Sequence, residues 1–109
     1  MAQFDVHKNI GKQRDAIPFV VVVQSSLYDG YNRRVVVPLV RRSTLARSAP
    51  FLNTPLNPVF TVKGIKVVLH PLEMVSVAME NLGEKVATLE PDGDAILAAM
   101  DEMLTRAWR

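Results

Sequence analysis

Residues 18–39 read PFVVVVQ, SSLYDGYNR and RVVVPL in succession. Two valine-rich runs flank a polar and aromatic connection. β-Branched side chains suit the pleated, half-buried surface of a sheet, so the runs are expected to pair antiparallel. Asp29-Gly30 supplies residues that tolerate positive φ at a hairpin turn. Pro38 removes a backbone donor near the end of the second run, which places it at an edge, a bulge or a strand terminus, and the sheet is expected to be interrupted there.

Outward from this pair the first two thirds of the chain remain strand-like. AQFDV at residues 2–6 alternates Phe4 and Val6 with Gln3 and Asp5, the period of a half-buried strand; HKNIGKQRDA then forms a polar connection around Gly11. Residues 41–58 carry Pro50, Pro55 and Pro58 with Asn53 and Asn57, and read as a long loop with one helical turn around residues 43–47. VFTV and IKVVL, joined by Lys63-Gly64, form a second hairpin, and MVSVAM after Pro71 a further short strand.

The period changes at the end. Ile96, Leu97, Met100, Met103, Leu104, Ala107 and Trp108 follow the spacing of one helical face. Pro91 suits the first turn, Asp92 and Asp94 the positive end of the helix dipole, and Arg106 and Arg109 the negative end. A helix of ~17 residues is marginal alone in water, so its apolar stripe must pack on something else.

With 109 residues, 49% apolar and 22% charged, the chain is expected to form one globular domain spanning residues 1–109. It contains no cysteine, which removes disulfides and thiolate zinc sites and suits a reducing cytosol. MAQFDVHKNI lacks the apolar run of a signal peptide, and no stretch approaches ~18 apolar residues. A cytoplasmic protein without a membrane partner is expected. A net charge of +2 does not by itself imply nucleic-acid binding, although basic residues cluster at Lys8, Lys12 and Arg14 and at Arg41, Arg42 and Arg47.

Constellations that carry chemistry are sparse. His7 and His70 lie far apart without metal-ligand spacing, and read as surface or hydrogen-bonded histidines. Gly11-Lys12 lacks the upstream glycine of a phosphate loop, and Gln13 stands where Ser or Thr would hold magnesium. Asp92-Gly93-Asp94 is explained by helix-start chemistry. Arg33 and Arg34 suggest a phosphate clamp, but charged residues after a hairpin turn are ordinarily just exposed. No catalytic residue, metal or cofactor is assigned.

Several stretches in order resemble the CcdB family, toxins of bacterial toxin-antitoxin pairs. They are QF.V at residues 3–6, FVVVVQSSLYDGYNRRVVVPL at 19–39, Pro58-Val59 with the hairpin that follows, GEKVATL at 83–89, and the helix closing on Trp108. The connection after His7 is about two residues longer than usual, which a surface loop tolerates. The resemblance implies a mainly β fold with one C-terminal α-helix, an SH3-like barrel of the CcdB/MazF/Kid kind, assembled as a homodimer. It implies a protein that catalyses no reaction, binds the A subunit of DNA gyrase and traps the cleaved-DNA complex. A CcdA-type antitoxin would sequester it through a disordered segment, and the pair would repress its own operon, with operator DNA reached only through the antitoxin.

The family's gyrase-facing positions carry over to Gln3, Phe4, Ser25 and Trp108, with Leu27 and Tyr28 as less literal matches. In the family the near-terminal tryptophan stacks on a gyrase arginine. Burying such a ring removes ~150–250 Å² from water, worth at most ~4–6 kcal/mol. Departures from the family pattern are His7 for a tyrosine, Leu104 for a polar residue, and Arg109 where the family ends in Gly-Ile. The antitoxin-facing segment corresponds to Lys8, Asn9, Ile10, Gly11, Lys12, Gln13 and Arg14, whose cations suit an acidic partner. Two other readings remain: a protein that binds antitoxin and acts in autoregulation without poisoning gyrase, and a MazF/Kid-like endoribonuclease built on Asp29 with Arg33 or Arg34.

Overall fold

The computed structural model describes residues 2–45 and 54–105. Strands β1 (Asp5–Lys8), β2 (Phe19–Val22), β3 (Arg33–Arg41), β4 (Val59–Val62), β5 (Ile65–Leu69), β6 (Val75–Ala78) and β7 (Lys85–Thr88) precede one α-helix, α1 (Gly93–Leu104). Among the described residues the strands form one antiparallel half-barrel in the order β4-β5-β3-β2-β1-β7, with β6 added beside β3.

The valine runs pair as β2 and β3, with Phe19 opposite Leu39 and Val22 opposite Val36. Val23 N–H donates to the Val35 carbonyl at 3.1 Å. By antiparallel alternation the Val21–Val37 and Phe19–Leu39 pairs then exchange hydrogen bonds, and the Pro38 backbone points away from β2. On that far side β3 changes neighbour, pairing with β6 through residues 33–36 and with β5 through 39–41. Pro38 sits at the change, where a missing donor breaks no ladder, and its carbonyl accepts from His70 N–H at 3.1 Å. The expected interruption is therefore corrected. β3 runs unbroken through Pro38, and it is the partner strand that changes.

Turn chemistry is also redistributed. Lys63 and Gly64 adopt φ of 53° and 76°, as a two-residue hairpin loop requires. Asp29 stays right-handed at φ −65°, and Gly64 alone among the described glycines has positive φ. The β2–β3 connection has enough length to reverse through a 3-10 turn, Ser26–Tyr28, so the positive-φ expectation for Asp29-Gly30 does not hold. The turn expected around residues 43–47 is a 3-10 turn at Arg42–Thr44; residues 46 and 47 lie outside the described chain.

β1 pairs with β2 on one edge and β7 on the other, and its side chains alternate between the two faces of the sheet as expected, but both faces are buried rather than one. Val6 is buried in the core, while Asp5 and His7 are buried on the other face. Asp5 accepts from Ala2 N–H at 3.0 Å and faces Lys85 Nζ at 3.4 Å; His7 Nδ1 bonds the Gly83 carbonyl at 2.8 Å. The strand starts at Asp5 because Phe4 adopts φ 71°. The Phe4 amide donates to Val22 and its carbonyl accepts from Leu89. This ties β1 to β2 and to the approach to α1.

The core fills the concave side of the sheet: Phe4, Val6, Phe19, Val21, Val37, Leu39, Phe60, Val62, Val67 and Leu69 meet Leu89, Ile96 and Ala99. Gly93, Ile96 and Ala99 are the buried face of α1, with Met100 packed partly against the core. The face expected from the sequence is thus split. Leu97 is 48% exposed and Leu104 62%, because at 100° per residue both lie about 80–100° around the helix from Ile96. Pro91 falls in a 3-10 turn, Glu90–Asp92, ahead of the helix. Ala107, Arg106, Trp108 and Arg109 lie outside the described residues. No described helix is long and apolar enough to cross a membrane.

Candidate functional site

The long connection after β2 builds the first surface. Ser25 Oγ accepts from Leu27 N–H at 3.2 Å and caps the Ser26–Tyr28 turn. This lifts Leu27 almost wholly into solvent, at 86% exposure. Tyr28 and Tyr31 are exposed beside it, their ring centroids 6.3 Å apart. Gln3 donates from Nε2 to the Val23 carbonyl at 2.9 Å, which brings it to the neck of the same loop. Of the residues assigned from the sequence, Gln3, Ser25, Leu27 and Tyr28 therefore meet at one end of the β2–β3 hairpin.

Phe4 does not join them at the surface. At 8% exposure it belongs to the core, and a Cβ added to Gly93 would come within 2.8 Å of its ring. Its part in this surface is to anchor Gln3 from below. Leu104 projects from the last turn of α1. Trp108 and Arg109, assigned to the same surface, lie outside the described residues.

The second surface is the connection after β1, ordered by its own side chains. Asn9 Nδ2 donates to the Ile17 carbonyl at 2.7 Å and Asn9 Oδ1 accepts from Gly11 N–H at 2.9 Å. Arg14 folds back onto the Gly11 carbonyl at 3.2 Å, and Lys8 pairs with Glu84 at 3.1 Å. Lys8, Asn9, Ile10, Gly11, Lys12 and Gln13 form one wall of a groove of about 260 Å³ whose floor includes Val20, Val36, Pro38, Val77 and Leu82. An apolar floor under a basic rim accepts a segment that offers apolar side chains among acids.

A third surface escapes periodicity altogether. Leu72, Met74 and Val75 are exposed apolar residues from the Pro71–Glu73 turn and the start of β6. That turn packs against α1, which carries the exposed Leu97 and Leu104. Exposed apolar residues grouped in this way mark contact surfaces more often than scattered ones do.

Arg33 and Arg34 separate sharply. Arg33 is exposed and bonds Ser76 through Nε to Oγ at 2.9 Å and Nη2 to the carbonyl at 2.7 Å. Arg34 is buried, against the expectation that both are solvated charges. Alternation along β3 carried the signal: residue 34 shares its face with Val36 and Pro38. With both guanidiniums committed to protein carbonyls and a hydroxyl, neither is arranged as a free phosphate clamp.

The CcdB protein family model matches residues 3–105, nearly the whole chain, and the half-barrel with its C-terminal helix fits that fold. The chain belongs to the CcdB family. It is thereby placed among the toxins of toxin-antitoxin pairs. No curated protein matches the chain.

Proposed function

We propose that this CcdB-family protein, a single toxin domain, acts in the cytoplasm as a homodimer that binds the A subunit of DNA gyrase and traps the cleaved-DNA complex. A CcdA-type antitoxin neutralises it and links it to repression of its own operon. The observation that carries the gyrase reading is the ordered loop that presents Leu27 and Tyr28 beside Gln3. An exposed leucine and two tyrosines on a capped, hydrogen-bonded scaffold provide apolar contact area at low ordering cost. The family resemblance adds Trp108 to the same contact.

The grooved connection at residues 8–13 supports antitoxin binding, and the exposed Leu72, Met74 and Leu97, from the Pro71–Glu73 turn and the helix it packs against, support dimerisation. The toxin works by binding, with no bond made or broken. An endoribonuclease would need a general base and a free cation at one scissile bond, and the hydrogen bonds of Arg33 and Arg34 weigh against that site. Titration of purified protein onto gyrase A tests the proposal. Saturable binding that weakens in Leu27→Ala without loss of thermal stability is expected; no binding by the unaltered protein would refute it.

A further inference from the structure

We infer that Arg34 is a positioning residue whose buried guanidinium holds the 25–32 loop in the shape that presents Leu27 and Tyr28. The inference rests on the proposed gyrase reading for its functional consequence, but not for its structural part. Arg34 is only 2% exposed. Its Nη1 donates to the Tyr31 carbonyl at 2.6 Å and the Arg33 carbonyl at 2.9 Å, and its Nη2 to the Asp29 carbonyl at 3.1 Å. Nε stands 3.6 Å from Asp29 Oδ1, an ion pair longer than a hydrogen bond. Every one of these acceptors belongs to residues 29–33.

A buried cation is costly unless it is paired and hydrogen-bonded. Here the compensating groups are supplied by the loop, so opening the loop would strip a buried charge of its acceptors. Loop order and Arg34 burial therefore stand or fall together. The grip reaches the exposed rings directly: the Tyr31 carbonyl is held by Arg34, and the Tyr31 amide donates to the Tyr28 carbonyl at 3.1 Å. Gln24 closes the neck from the other strand. Its Oε1 accepts from Val35 N–H at 3.0 Å, and its Nε2 donates to the carbonyls of Tyr28 at 3.1 Å and Arg33 at 3.3 Å. Lysine cannot replace this arginine. Its ammonium donates from a single point, whereas the guanidinium forks to carbonyls spread along the turn.

A loop already held in its bound shape spares the ordering cost at association. Arg34→Lys keeps the charge and loses the fork. Hydrogen exchange and affinity measured together on the full-length protein test the inference. In Arg34→Lys, amides of residues 27–31 should exchange faster while those of β1 and β2 hold, and gyrase A affinity should fall by at least about tenfold with antitoxin affinity unchanged. Gln24→Ala, at a less buried position, should repeat the pattern more weakly and guards against a folding defect in the first variant. Unchanged exchange in the loop of both variants would overturn the inference. So would faster loop exchange with full gyrase affinity, or equal losses toward gyrase and antitoxin. If the unaltered protein does not bind gyrase A, the proposed function fails separately, and the exchange result alone decides whether Arg34 orders the loop.

Discussion

Phe4 separates a core role from a contact role more cleanly than any other assigned residue. Its ring is 8% exposed and packs with Val6, Leu89 and Ile96 in the core. Truncation to alanine should therefore cost about 3–5 kcal/mol, a large share of the 5–15 kcal/mol that holds a typical domain together. At roughly 4–8 °C per kcal/mol for a domain of this size, Tm should fall by well over ~10 °C. The backbone adds a second, opposite signature. With φ at 71°, an L-residue here carries about 1–2 kcal/mol of left-handed strain that glycine does not. Phe4→Gly should then be at least as stable as Phe4→Ala, reversing the usual order of the two residues. Thermal and denaturant unfolding of both variants measure the two effects. A cost below about 1 kcal/mol for Phe4→Ala would refute the core placement, and a glycine variant clearly less stable than the alanine one would refute the backbone argument.

Three further outcomes follow from other parts of the molecule. A Cβ on Gly83 would overlap the Lys8 carbonyl oxygen and press on Ile10; Gly83→Ala should cost about 1–3 kcal/mol by overpacking and weaken antitoxin binding, and wild-type values for both in unfolding and binding assays would contradict this. Leu97→Asp with Leu72→Asp should leave the fold intact but shift sedimentation from dimer to monomer at micromolar concentration, whereas an unshifted dimer would take this face out of the interface. Trp108→Ala should weaken gyrase A binding by ~2 kcal/mol or more, the loss of a hot spot, with Tm nearly unchanged; a large drop in Tm instead would make Trp108 a core residue.

What was legible in the sequence was what local pattern governs. Valine-dense runs specify β2 and β3, the Lys63-Gly64 pair specifies a tight hairpin, and the change of period specifies α1. What was not legible depends on partners distant in sequence. β7 forms from KVAT, a short run with little alternation, and exists because β1 supplies its ladder. Asp5 and His7 are buried on the face opposite the core, where Lys85 and Gly83 meet them from far along the chain, which single-strand periodicity cannot report. The helix stripe covers more arc than one sheet can bury, so the sequence could not say that Ile96 and Ala99 turn inward while Leu97 and Leu104 turn out. At the candidate site, Ser25, Leu27 and Tyr28 were assigned through family resemblance, while Gln24 and Arg34, whose hydrogen bonds hold their loop, carry no local signal of that role.

Gyrase-dependent DNA cleavage reads out trapping of the cleaved complex itself. Purified protein is incubated with gyrase and plasmid, the reaction is stopped with detergent and protease, and linear DNA is quantified. Linear DNA should rise with protein concentration, require gyrase, and disappear when antitoxin is added first. Absence of gyrase-dependent cleavage at saturating protein, or cleavage of RNA by the protein alone, would contradict it.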